Sequence, residues 1–197
     1  MPDGILGGFF TEGVDMTTIV AVQYDDRVLF AADNQVTGDD GRIYHHPKME
    51  KITERGEYLI AGSGEVGPCD IAQHIWQPPK PTAKDRQDIY HFMIAKVMPS
   101  LKKCLTDNGY DFSEGKGDGK GDGNRFNFLI AVCGEVFDVA DDCSICMSAD
   151  GIYGVGSGSS YAIGALHAGA KPLVALKIAE KIDANTSGPF LTKEQFK

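Results

Sequence analysis

No apolar run in this sequence approaches the ~18–20 residues that a membrane-spanning helix needs. The longest, Phe128–Cys133 and Thr17–Val22, are strand-sized. Positive charge is scarce. Nineteen Lys and Arg stand against 28 Asp and Glu, a net charge of −9. That argues against a nucleic-acid-binding face, whose affinity comes mainly from Lys and Arg neutralising phosphates. The opening segment, MPDGILGGFFTEGVDM, carries Asp3, Glu12 and Asp15 and no basic residue, unlike a secretory signal. No membrane partner is expected, and the cytoplasm is the expected compartment. A disulfide framework is also missing. Five cysteines (Cys69, Cys104, Cys133, Cys143, Cys146) are an odd number, and at this length a chain buries about 70% of its unfolded surface without staples. Reduced, mostly buried thiols are expected. Cys143 and Cys146 form one CxxC. No second pair and no histidine at metal spacing accompanies it, so the pair reads as small core residues on a strand, with metal or redox use as the alternative. No metal site and no cofactor is expected.

Glycine is what the sequence has in excess, 24 of 197 residues. Residues 115–123 (GKGDGKGDG) hold five of them and read as a flexible connection. This stretch fails the phosphate-loop pattern because no Ser or Thr follows either Lys in place. It also fails the EF-hand pattern, which needs alternating oxygen ligands and a closing Glu. Elsewhere the pattern is globular. Thr17–Val22 with Arg27–Ala32, Lys51–Thr53 with Glu57–Ala61 (turned at Arg55-Gly56), and Phe126–Cys133 with Glu135–Val139 read as hairpins. Asp33–His46 reads as a polar loop, and Ser144–Met147, Ile152–Val155 and Pro189–Phe196 as short strands. Apolar spacing of three and four predicts helices over Ser63–Trp76, Asp85–Leu105 (with a kink at Pro99), Ser160–Ala168 and Pro172–Ala184. Strands, two helices, strands, two helices and a strand suggest an α+β fold of antiparallel sheets with helices packed outside them.

Several segments stand in a telling order: Met16-Thr17-Thr18-Ile19-Val20; Ala31-Ala32-Asp33-Asn34; Lys48-Met49-Glu50-Lys51-Ile52; Ala61-Gly62-Ser63-Gly64; and Gly154-Val155-Gly156-Ser157-Gly158-Ser159-Ser160-Tyr161-Ala162. Taken singly, each has a plain reading: β-propensity for the threonines, a turn cap for Asp33, a solvated charge for Lys51. Taken together, from Thr17 onward, the chain resembles the peptidase subunits of the proteasome superfamily, both proteasome β-subunits and the bacterial HslV peptidase. The resemblance implies a four-layer αββα sandwich of two antiparallel sheets flanked by helices, an N-terminal-nucleophile hydrolase fold.

It also implies roles. Thr17 would be the nucleophile, with its own α-amine as base once it is the first residue. A free α-amine has a pKa of ~7.7–8, and the positive charge of Lys51 would lower it and help stabilise an alkoxide. Asp33 would hold Lys51 and orient the Thr17 backbone. Ser157 and Asp183 would hydrogen-bond around the amine, with Ser187 as a further support whose spacing from Asp183 is one residue longer than usual. The backbone of the Gly64-Glu65 turn would supply oxyanion donors, with the Glu65 carboxylate close by, where the family has small residues. His45, His46, His74, His91 and His167 read as surface or core residues.

A free amine on Thr17 requires removal of residues 1–16, expected to be an extension or propeptide ahead of a peptidase domain over residues 17–197. Self-processing relatives carry Gly before the Thr, whereas this chain carries Met16. The extension could be cleaved autocatalytically, Met16 could be the true start, or the extension could stay. The first two give a threonine-type endopeptidase acting on unfolded polypeptide. The third gives a catalytically silent shell or assembly protein. An amidase acting on small amides is a further alternative. The resemblance implies a homo-oligomer of stacked rings. The chain carries no nucleotide-binding motif, so any unfolding would fall to a separate AAA+ ATPase.

Overall fold

The structure is a computed structural model and describes residues 17–38, 40–112 and 126–197. The extension (1–16) and the Gly-rich connection (115–123) lie outside the described residues. Two antiparallel sheets dominate. The first has the order β10-β1-β2-β11, built from β1 (Ile19–Gln23), β2 (Arg27–Ala32), β10 (Ile152–Val155) and β11 (Leu191–Phe196). The second has the order β5-β6-β7-β8-β9, built from β5 (Ile52–Arg55), β6 (Tyr58–Gly64), β7 (Phe126–Val132), β8 (Glu135–Ala140) and β9 (Ile145–Cys146). The central strands are continuous apolar runs because both of their faces are covered. On β1, Ile19 and Ala21 join β2, β5, β6, β7, β8 and β10 side chains in one cluster between the sheets. Val20 and Val22 face the other way, onto α4 (Ser159–His167) and α5 (Pro172–Ala179). The far face of the second sheet carries the largest cluster, centred on Trp76, Phe92, Leu101, Phe126 and Phe128. That cluster seats α1 (Val66–Asp70), α2 (Ile89–Phe92) and α3 (Met98–Asp107).

Turn chemistry sets the hairpins. Cys133 and Gly134, at φ 54° and 77°, form the two-residue turn between Val132 and Glu135, the left-handed pair that a tight hairpin favours. The β5–β6 turn sits at Gly56-Glu57, one residue beyond the expected position, because Arg55 pairs with Tyr58.

The structure departs from the sequence reading in several places. The 33–46 loop contains a two-stranded hairpin, β3 (Val36–Thr37) with β4 (Ile43–Tyr44). The 85–105 helix is broken. A 3-10 turn over Asp85–Gln87 ends at Asp88, whose extended backbone and side chain cap α2 by accepting the His91 amide at 2.9 Å. A π-helical turn, Met93–Val97, then precedes α3. It includes Ala95, whose carbonyl is the one that Pro99 can neither bond nor clear. α5 ends at Ala179, and Asp183 lies beyond it. The cysteines are less buried than expected. None is in a disulfide and only Cys69 is buried. Cys143 is in a turn at φ 67° instead of on a strand, and Cys146 is exposed on the edge strand β9.

Candidate active site

Thr17 lies just before β1 and is buried (6% exposed). Its position follows from the first hairpin. The Thr18 amide donates to Asp33 Oδ1 at 2.9 Å, and the Asp33 amide donates to the Thr18 carbonyl at 3.1 Å, extending the β1–β2 ladder by one pair. Asp33 Oδ1 also accepts Lys51 Nζ at 2.7 Å, while Oδ2 accepts the Gln35 amide at 3.0 Å. One carboxylate therefore fixes the chain after Thr17, the turn after β2 and the lysine at the start of β5. Both charged groups are almost fully buried. Burial pulls the Lys51 ammonium below its ordinary range, opposed by the neighbouring Asp33. Gln73 Nε2 donates to the Lys51 carbonyl at 2.7 Å and pins the backbone there.

The Gly156-Ser157-Gly158 turn supports Thr17 from the other side. Gly156 has φ 92°, and a Cβ there would fall on the Thr17 carbonyl oxygen. Gly158 donates its amide to that oxygen at 3.4 Å, and a Cβ on it would meet Thr18 Oγ1. Ser157 Oγ donates to Asp183 Oδ2 at 2.8 Å. The same carboxylate oxygen accepts the Thr186 hydroxyl, which in turn touches the Thr18 hydroxyl.

Thr17 and Lys51 open onto a cavity of about 490 Å³. Its walls include Gly62, Ser63 and Gly64 at the end of β6, Cys69 and Gln73 from the following helix, and Met49. Glu65 is exposed, and Gly64 and Val66 on either side of it line the cavity wall.

The structure thus brings together Thr17, Asp33 and Lys51, and beside them Ser157 and Asp183. Ser187 is placed apart. Its Oγ donates to Gln35 Oε1 at 2.7 Å and its carbonyl accepts the Asn34 amide at 3.2 Å, so it steadies the loop after Asp33. The hydroxyl just beyond Asp183 that bonds to its carboxylate, beside that of Ser157, belongs to Thr186. Sequence reasoning passed over Thr186, Thr18, Gln35 and Gln73. For Thr186 a signal existed: a hydroxyl three residues after an Asp reaches back to its carboxylate, as at any capped turn. For the glutamines there was none.

No protein-family model and no curated protein matches the chain. Solved structures do. The chain is similar to Thiobacillus denitrificans BPH in complex with epoxomicin (21% identity, 91% of this chain and 98% of that one, TM-score 0.69). It is similar to eukaryotic HslV from Trypanosoma brucei (18% identity, 90% and 98% covered, TM-score 0.58). It is also similar to Anbu, the ancestral beta-subunit, from Yersinia bercovieri (12% identity, 91% and 82% covered, TM-score 0.62). The class that the architecture defines is therefore a proteasome-like fold. Within it, the chain has the fold that BPH, HslV and Anbu share, as the resemblance in the sequence implied.

Proposed function

We propose that the chain is a threonine-type endopeptidase that hydrolyses unfolded polypeptide through Thr17, exposed as the first residue by removal of residues 1–16. The carrying observation is the buried Lys51–Asp33 pair at 2.7 Å, in which Asp33 accepts the Thr18 amide and Lys51 lines the same cavity as Thr17. A desolvated ammonium is an expensive feature unless its charge is used, because apolar side chains of similar volume would fill the same space at lower cost.

In the mechanism, the Thr17 α-amine takes the proton of Oγ, directly or through water, as Oγ attacks the scissile carbonyl. Lys51 lowers the basicity of the amine toward neutrality and steadies the developing alkoxide. Asp33 holds Lys51 and aligns Thr17 through its neighbour. Ser157 and Asp183 complete the hydrogen bonds around the amine, and the Gly64 turn donates to the oxyanion. As the adduct collapses, the C–N bond breaks, the Thr17 ammonium passes its proton to the departing amine, and water then hydrolyses the ester to free Thr17 Oγ. Ser187 acts at one remove, through Gln35.

The reading includes a four-layer αββα sandwich over residues 17–197, assembly into closed homo-oligomeric rings, a separate AAA+ ATPase to feed them, and a cytoplasmic setting. Three hydrophobic clusters, one between the sheets and one on each outer face, support the layering. The helical assembly of the Anbu complex from Pseudomonas aeruginosa supports self-association. No helix of the described residues is long and apolar enough to cross a membrane.

The test is intact-protein mass spectrometry with a fluorogenic peptide assay. A mature mass beginning at Thr17, and a Thr17→Ala variant at least 1,000-fold slower (a loss of about 4 kcal/mol of transition-state stabilisation), are expected. An assembled chain that keeps its extension and cleaves nothing establishes the silent shell protein instead.

A further inference from the structure

The hydroxyl of Ser63 is an anomaly in an otherwise well-satisfied site. Ser63 is buried (2% exposed), and its Oγ finds no hydrogen-bond partner among the described residues. Buried hydroxyls are nearly always bonded, and one left unpaired costs stability that alanine would not.

Its direction is set by β6. Successive strand residues point to opposite faces. Leu59 and Ala61 belong to the cluster between the sheets, while Tyr58 and Ile60 belong to the cluster on the far side. A Cβ on Gly62 would meet Cys69 Sγ at 2.6 Å and Phe128 at 3.0 Å, on that far side. Ser63 thus continues the inward row, where the apolar side chains give out and the cavity begins. Its Oγ lies 3.0 Å from where a Cβ on Gly156 would stand, beside the Thr17 carbonyl, and Ser63 lines the cavity together with Thr17, Lys51 and Gly64.

We propose that Ser63 Oγ is a side-chain oxyanion donor, aimed at the position where negative charge develops when Thr17 attacks. This rests on the peptidase reading above. In the step, a bond forms between Thr17 Oγ and the scissile carbon, the carbonyl π pair moves onto oxygen, and the Thr17 proton goes to the amine. Ser63 keeps its own proton and donates a hydrogen bond to the new oxyanion, next to the Gly64 amide. A donor fixed in a dry wall acts most strongly on charge that exists only in the transition state. An unpaired hydroxyl is then the resting form of a donor, held at a cost to the fold.

The test compares Ser63→Ala and Ser63→Thr with wild type. Four quantities are measured: kcat and KM for a fluorogenic tetrapeptide, affinity for the corresponding peptide boronate (which forms a tetrahedral adduct on Thr17), affinity of the corresponding peptide amide, and Tm. For Ser63→Ala the expected result is a 10- to 100-fold loss in kcat with KM within twofold. Boronate affinity should fall by a similar factor, amide affinity should stay unchanged and Tm should be no lower. Ser63→Thr, which keeps the hydroxyl, should recover most of kcat.

Unchanged kcat and boronate affinity in Ser63→Ala overturn the donor role alone, as does an equal weakening of amide and boronate. A lowered Tm with the kcat loss reproduced by Ser63→Thr makes Ser63 a packing residue and overturns it too. A processed wild-type chain that neither cleaves the peptide nor binds the boronate overturns the peptidase reading itself, and the donor role with it.

Discussion

Asp33 is where removing a single group should do the most damage. It accepts Lys51 Nζ and the amides of Thr18 and Gln35, and it is 1% exposed. Deleting one partner of a buried ion pair leaves the other uncompensated, at a cost of roughly 3–5 kcal/mol. Asp33→Ala should therefore destabilise the fold by about that much, read by urea unfolding. Removing both charges in Asp33→Asn with Lys51→Met should cost less than the two single changes combined. A purely additive double mutant would contradict the coupling.

Lys51 also carries a pH signature. Burial holds its proton more loosely in the folded chain than in the unfolded one. Unfolding consequently takes up a proton over the window between its lowered folded pKa and the ordinary value of 10.5, and stability from this group rises with pH across that window. Under the proposed mechanism catalysis would run the other way, because it needs the Lys51 cation. The alkaline limb of kcat/KM should fall below pH 10.5, and a profile flat to that pH would count against Lys51 as the charge beside Thr17. Asp33 and Lys51 were legible in the sequence only through their order and spacing relative to Thr17 and the glycine turns. Gln35 and Gln73 were not, because a polar side chain that meets a backbone carbonyl far away in the sequence leaves no periodic trace.

Strands and hairpins were legible at the level of elements because apolar runs and left-handed turns are local. The helix over 85–105 was not read correctly at its start because Asp85–Asp88 are all polar and carry no apolar position to show that the α-helix begins only at Ile89, after the Asp88 cap. The Gly156-Ser157-Gly158 turn shows what local geometry demands of an element. Gly156→Ala would strain a φ of 92° and press a methyl group onto the Thr17 carbonyl. It should abolish peptide cleavage while Gly67→Ala, at a glycine with open space around it, leaves activity within about twofold.

The 143–146 segment makes a different prediction. Burial pushes the Cys143 thiol up to about 11, whereas Cys146 is exposed on β9. Maleimide at neutral pH should label Cys146 first and Cys143 slowly, because the thiolate is the nucleophile. Equal labelling would show that the turn at Cys143 opens in solution.

The whole molecule presents an apolar stripe on its α4–α5 side. Tyr161, Leu173, Val174 and Ile178 are between 36% and 48% exposed, and Ile182 just beyond α5 is 57% exposed. Patches of this kind on a chain of net charge −9 mark contact surfaces more often than solvent-facing ones. If rings stack through this side, Val174→Glu should shift the particle to a smaller size in gel filtration without altering the far-ultraviolet circular dichroism. A monomeric wild-type protein would remove the basis for rings altogether. The fold at this scale was legible because the order of strands and helices already implied sheets with helices outside them. Assembly was expected only through the family resemblance, because no residue pattern within the chain marks a partner's surface.

The chain of hydroxyls from Thr18 through Thr186 to Asp183 and Ser157 has a consequence for synthesis. It joins the residue after Thr17 to one 168 residues further along, and β1 takes β10 as its neighbour. Thr186 follows Thr18 by 168 residues, so the surroundings of Thr17 stay incomplete until that whole stretch has left the ribosome. This corner of the fold is therefore among the last to close.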